Sequence, residues 1–260
     1  MRKKISVALI LVYSSIYSQS DNLSQFWNEY AFTKDLSQNW VLEIDAGLSS
    51  SSIPDDPNMF HNITQVYLRA WAHYYPAPRW KLSIFYAYFH NKNVPELNQE
   101  KPPEFRSALQ ATYSLFTKES FKVNLRARFE DRHLENENSN YEAVERFRFQ
   151  VKAVCPINYL KINKIPIYAF ASDEVFFKTK SAVSGPDFFD RNRFTVGLGL
   201  SLNNDIQIEP SYSREVMPRE TADQLVNAFQ LNFIFNDFFS NIAKPFKRNK
   251  TSVDDGSSGF

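Results

Sequence analysis

No stretch of this chain approaches the roughly 18 consecutive apolar residues that a membrane-spanning helix requires, and its mean hydropathy is negative. A helical membrane protein is excluded. Cysteine is almost absent too: Cys155, the only one in 260 residues, leaves no intramolecular disulfide, and it lies far from any lipoprotein attachment site. Neither sign of charge dominates. With Lys+Arg 30 against Asp+Glu 29 the net charge is +1, so no global field points to nucleic acid. Signatures of metal binding and nucleophilic catalysis are also missing. His61, His73, His90 and His133 lack ligand spacing, and the serines fall in loop runs such as Ser49 to Ser52 rather than in a nucleophile motif. No cofactor or metal is expected, and a non-enzymatic role is favoured. The acidic pairs Asp55-Asp56 and Glu135 with Glu137 have the chemistry for calcium, but ordinary loop solubility explains them more simply.

What the chain has in abundance is strict alternation, clearest between Phe121 and Ala153. Phe121, Val123, Leu125, Ala127 and Phe129 point one way while Lys122, Asn124, Arg126, Arg128, Glu130 and Arg132 point the other. Phe147, Phe149, Val151 and Ala153 likewise oppose Arg146, Arg148, Gln150 and Lys152. A soluble sandwich seldom lines a whole strand face with arginine. An apolar face turned to lipid and a charged face turned to an enclosed lumen account for both halves together. The same period recurs from Gln25 to Phe235, in about eleven runs. The connections alternate short and long, and aromatics flank the short ones: Phe32 with Trp40, Tyr74 with Trp80, Tyr113 with Phe121. A lipocalin-like soluble barrel would reverse the two faces. The expected fold is therefore all-β, a transmembrane antiparallel up-and-down β-barrel of 10–12 strands. Because single-chain bacterial barrels have even strand numbers, ten or twelve is expected rather than eleven. Segments 131–142 and 155–164 read as connections, and the facing of the run 165–177 is ambiguous because Asp173 and Glu174 are adjacent.

Residues 1–20 read as an export signal: Arg2, Lys3 and Lys4, a short apolar core from Ile5 to Tyr13, then a small polar tail with cleavage near Ser18 to Ser20. The barrel is expected over 21–236, followed by a polar C-terminal tail over 237–260. Export of a barrel implies the bacterial outer membrane, with its lipid and the barrel-assembly machinery as partners.

The charged residues expected to line the lumen fall in two sets. Arg106, Arg126, Arg128, Arg146, Arg148 and Lys152 come from three consecutive strands and should form a basic wall, with Arg193 from a later strand. Glu29, Glu43, Asp45 and Glu209 come from strands near the two chain ends, which closure brings together opposite that wall. Such a lumen either screens small polar solutes or is filled by its own salt bridges.

Several of these segments resemble a family. Arg126-Ala127-Arg128-Phe129-Glu130, Glu145-Arg146-Phe147-Arg148-Phe149, Asp173-Glu174-Val175-Phe176-Phe177 and Asp190-Arg191-Asn192-Arg193-Phe194, the last followed by Gly197-Leu198-Gly199, are similar to domain-of-unknown-function family 2490 over about residues 21 to 235. The resemblance implies a Gram-negative outer-membrane barrel and supplies no substrate or catalytic residue. From the sequence, three roles stay open: a narrow pore for small polar solutes, a closed structural or surface-interaction barrel, and an outer-membrane lipid-modifying enzyme.

Overall fold

In the computed structural model, residues 21–238 are described apart from 54–55, 93, 95–102, 119–120, 137, 163–164, 186–187, 203–204 and 220–222. The expected export signal and almost all of the polar tail lie outside the described residues. Among the described residues there are eleven strands: β1 (Asp21–Asp35), β2 (Trp40–Ser51), β3 (Asn62–Ala77), β4 (Trp80–Asn91), β5 (Glu104–Lys118), β6 (Phe121–Glu135), β7 (Tyr141–Ile162), β8 (Ile165–Lys178), β9 (Phe189–Ser201), β10 (Ile206–Met217) and β11 (Gln224–Phe235). Each pairs with the next in antiparallel register, and β1 meets β11 to close the barrel. Five connections of two to four residues gather at one end, here the turn end, and five of five to twelve residues at the other, the loop end.

The eleven strands fall within the expected 10–12, but the expected even number does not hold. An odd count leaves the first and last strands running the same way, so the closing pair is parallel, in unbroken register from Asp21↔Gln224 to Phe32↔Phe235. That register places like residues side by side. Tyr30 stacks on Phe233 and Phe32 on Phe235, both with ring centroids 5.1 Å apart.

Alternation decides which face each side chain takes. Leu68, Ile84, Leu109, Phe149 and Leu198 project outward as exposed side chains, while their neighbours Arg69, Phe85, Ala108, Arg148 and Gly197 turn inward. An exterior this apolar around a barrel with no open edge is what a bilayer accepts, because every ladder hydrogen bond is made inside the sheet. Aromatic pairs ring the turn end, Trp40 with Tyr74 at 4.8 Å and Trp80 with Tyr113 at 4.9 Å. The rings meet across neighbouring strands rather than across the hairpins that the sequence pairs.

Two segments read as connections are strand. β6 continues to Glu135 because Arg132 and Leu134 keep the inward phase, and β7 continues to Ile162 past a register shift after Pro156, which has no N–H for the ladder. The ambiguity at Asp173 and Glu174 resolves with Glu174 inside and Asp173 outside, where Asn192 donates a 2.9 Å hydrogen bond to it.

Glycine is needed at two inward positions. Tyr67 on β3 lies flat over Gly47 of β2, and Tyr168 on β8 over Gly199 of β9; a Cβ at either glycine would fall about 2 Å from the ring. Each tyrosine crosses its glycine to donate to a carboxylate one strand further on, Glu29 and Glu209 respectively.

The parallel seam gives the first prediction. Adjacent strands stand about 4.8 Å apart, within the Cα range of a disulfide. In a Cys155→Ser background, Tyr30→Cys with Phe233→Cys is expected to cross-link on oxidation, as is the control pair Trp40→Cys with Tyr74→Cys across the antiparallel β2 and β3. Cross-linking of the control alone, on a non-reducing gel of heat-modifiable folded protein, contradicts the seam.

Candidate functional site: a charged chamber inside the barrel

The interior is organised by shared carboxylates. Glu130 follows Arg128 by two residues on β6, so the two share a face, and it stands directly opposite Arg146 on β7. Its carboxylate accepts from Arg146 at 2.7 Å, from Arg148 at 2.7 Å and from Arg128 at 3.3 Å. Register also sets Arg128 directly opposite Arg148, a repulsive pair by itself. Glu174 on β8 relieves it by accepting from Arg148 at 2.9 Å and Arg126 at 2.7 Å. Towards the loop end, Glu104 accepts from Arg106 and Arg132, both at 2.7 Å. Arg191 reaches Asp190 at 3.0 Å and Glu215 at 3.1 Å, and Arg193 shares Glu215.

Aromatic rings fill the space between these pairs. Phe176, buried on β8, has four guanidinium groups within 5.6 Å of its ring centre, from Arg146, Arg148, Arg191 and Arg193. Arg106 lies 4.0 Å over Phe89, and Arg128 5.2 Å over Trp71. Lys152 has only the Phe170 ring, at 4.3 Å, among its described contacts.

The other charged residues singled out in the sequence are inside as well. Glu29 and Asp45 clamp Arg69 at 2.7 and 2.6 Å, Glu209 accepts from Tyr168, and Glu43 lies 3.5 Å from His73. The arrangement differs from two opposed walls. Glu104, Glu130, Glu174, Asp190 and Glu215 stand among the arginines themselves, so charge is matched locally rather than across the barrel. The alternation of β6 contains Glu130, yet its reach to Arg146 and Arg148 depends on inter-strand register, which no single strand displays. Trp71 shares the face of Arg69 and Phe85 that of Lys81 and Ser83, so alternation already turns both inward, whereas Phe176 falls in the run whose facing the sequence leaves ambiguous.

The loop end is roofed. Val94 and Val183 from two loops pack with Leu134 of β6 and Val144 of β7, all buried. Lys178 anchors the second of these loops by donating to the Gly185 carbonyl at 2.8 Å, and Gly185 takes a positive φ of 86° that favours glycine. Beneath the roof lies a chamber of about 360 Å³ bordered by Arg126, Arg148, Lys152, Gln65, Thr195 and Gln230, among others.

Residues 24–226 match the family model described as a protein of unknown function, DUF2490. The chain belongs to that family. No curated protein matches it. Among solved structures it is similar to a bacterial polysaccharide outer membrane secretin, at 12% identity and TM-score 0.47 over 74% of this chain and 62% of that one. The NanC porin is similar at 7% identity and TM-score 0.46, over 81% and 98%. The β domain of the Bordetella autotransporter BrkA is similar at 8% and 0.44, over 76% and 83%. The chain thus spans about 62% of the length of the secretin it matches.

Three histidines in this DUF2490 barrel serve local contacts. His61 bonds Asp56 at 2.6 Å, His133 bonds Asp131 at 3.1 Å, and His73 bonds Ser83 at 2.8 Å. Among the described residues no group of three or more metal-ligating side chains assembles. Asp55 and Glu137, each half of a candidate calcium pair, lie outside the described residues.

Removing the central carboxylate is the sharpest test of the network. Glu130→Gln leaves Arg128, Arg146 and Arg148 short of charge and should lower stability by about 3–5 kcal/mol. Glu29→Gln should cost less, because Arg69 keeps Asp45. Denaturant midpoints of the folded barrel in micelles check the order, and equal midpoints for the two variants contradict it.

Proposed function

We propose that this DUF2490 protein is an outer-membrane passage for small polar solutes, narrow and held shut at its loop end. The observation that carries the reading is the combination of a polar chamber with a roof in which, among the described residues, four apolar side chains cluster, two of them on loops. Ion-paired arginines give the walls a defined geometry and charge, as a screening lumen requires. The part of the loop that carries Val183 can leave without disturbing the ladders, and what it gives up includes the Lys178 bond to the Gly185 carbonyl and the Ala182 N–H bond to the Glu142 carboxylate. In this reading the loop end faces outward and the turn end faces the periplasm, the usual sense for barrels of this kind.

A closed structural barrel is the competing reading, favoured by the ion pairs nearest the roof. Glu104, Glu130, Arg132, Asp190 and Arg191 are each no more than 2% exposed. Single-channel recording separates the two. The unaltered protein should show brief openings, and Val183→Asp, which places a carboxylate in the apolar roof, should raise the open fraction at least tenfold while heat-modifiable folding persists. Silence from both proteins, when correctly inserted, supports the closed barrel.

A further inference from the structure

The interior carries more positive charge than its carboxylates neutralise. Among the described residues, nine cationic side chains border the chamber against four carboxylates. Counting also Arg132, Lys81 and Lys178 and the carboxylates standing behind the lining, Glu43, Asp45, Glu104, Glu130 and Asp190, the cationic groups among the described residues still exceed the anionic by three. Unneutralised charge held away from bulk water is costly, and the low local dielectric makes a nearby anion correspondingly favourable.

The surplus can be traced to particular groups. Arg126 spends one nitrogen on Glu174, while its Nε is buried with no hydrogen-bond partner. Glu174 is already shared with Arg148, so it cannot neutralise both. Lys152, also on the chamber wall, lies over Phe170 with no carboxylate among its described contacts. Arg126 and Lys152 come from adjacent strands on the same inward face: Arg126 is paired with Gln150, and Lys152 is the next inward residue of β7. The two leave a cationic recess on the turn side of the Arg128–Arg148 rung.

Across the chamber the lining changes character. Gln65, Ser211, Gln230 and Asn232 present amides and a hydroxyl, which donate to and accept from hydroxyl groups without adding charge. A volume of about 360 Å³ sits at the lower end of the range for small-molecule sites. We infer that the chamber is a binding site for a small hydroxylated organic acid, with its carboxylate held by Arg126 and Lys152 and its hydroxyls by the neutral amide wall. This names the solute class for the passage proposed above and rests on that reading only in requiring a water-filled lumen.

Equilibrium binding to the folded barrel in micelles tests the site without requiring conduction. Titration with D-glucuronate at low chloride should saturate and weaken as salt is added, while D-glucose, matched in ring and hydroxyls but neutral, should bind at least tenfold more weakly. Inorganic phosphate, charged but without the sugar ring, should also bind at least tenfold more weakly than glucuronate. Lys152→Gln combined with Arg126→Gln should lower glucuronate affinity at least tenfold with heat-modifiable mobility retained; Lys152→Gln alone, which breaks no ion pair, gives a smaller loss and serves if the double variant fails to fold. Equal binding of glucose and glucuronate, equal binding of phosphate, or unchanged affinity in the Lys152→Gln protein each overturns the inference. Channel openings without saturable glucuronate binding overturn the site and leave the passage standing, whereas binding by a protein silent in bilayers does the reverse.

Discussion

A guanidinium group in hydrocarbon costs about 2–4 kcal/mol near the bilayer midplane, and β6 and β7 together carry five arginines on one face. Shifting either strand by one residue would turn its arginines to lipid and its phenylalanines to the lumen. That cost fixes the facing of the most charged strands, and their register in turn brings Glu130 opposite Arg146 and Glu174 within reach of both Arg126 and Arg148. The interior network is thus a consequence of the exterior constraint. Charges excluded from lipid must share a confined space, and they are tolerable there because carboxylates from five strands are interleaved among them.

Closure follows from the same ladders in a less usual way. Eleven strands in an up-and-down order cannot end antiparallel to where they began. The seam between β1 and β11 is therefore parallel, and its stacked outward aromatics reinforce a pairing slightly less stable per residue than its antiparallel neighbours. On the inside the two chain ends differ from the middle. β1, β10 and β11 contribute mostly amides, hydroxyls and carboxylates, whereas the guanidinium groups come from β5, β6, β7 and β9, with Arg69 of β3 besides. The polar asymmetry of the chamber is set by this division along the chain.

Much of this is legible in the sequence. Period-two alternation gives the strands, their lipid face and the inward position of Arg126, Arg128, Arg146, Arg148 and Lys152, because those facts are local. Strand parity is not local: even numbers are usual in such barrels, and only the actual pairing of Phe32 with Phe235 reveals a parallel closure. The ends of strands are poorly marked as well, since Asp131 to Glu135 and Cys155 to Ile162 have the polar or proline-containing composition of connections yet continue the ladder. The carboxylate partners escape for a third reason. Glu104 lies in what reads as the last residue of a polar loop, and nothing near it in sequence indicates Arg132, twenty-eight positions on.

The whole arrangement depends on the charged face being enclosed while the apolar face meets lipid. Spin labels placed singly at positions 123 to 130 of β6 in reconstituted bilayers measure this directly, by comparing relaxation from oxygen, which concentrates in lipid, with that from a polar nickel chelate. Accessibility to oxygen should peak at 123, 125, 127 and 129 and fall at 124, 126, 128 and 130, with the two quenchers out of phase along the strand. Polar quencher reaching Leu125 and Phe129 as readily as Arg126 and Arg128 would contradict a membrane-spanning barrel.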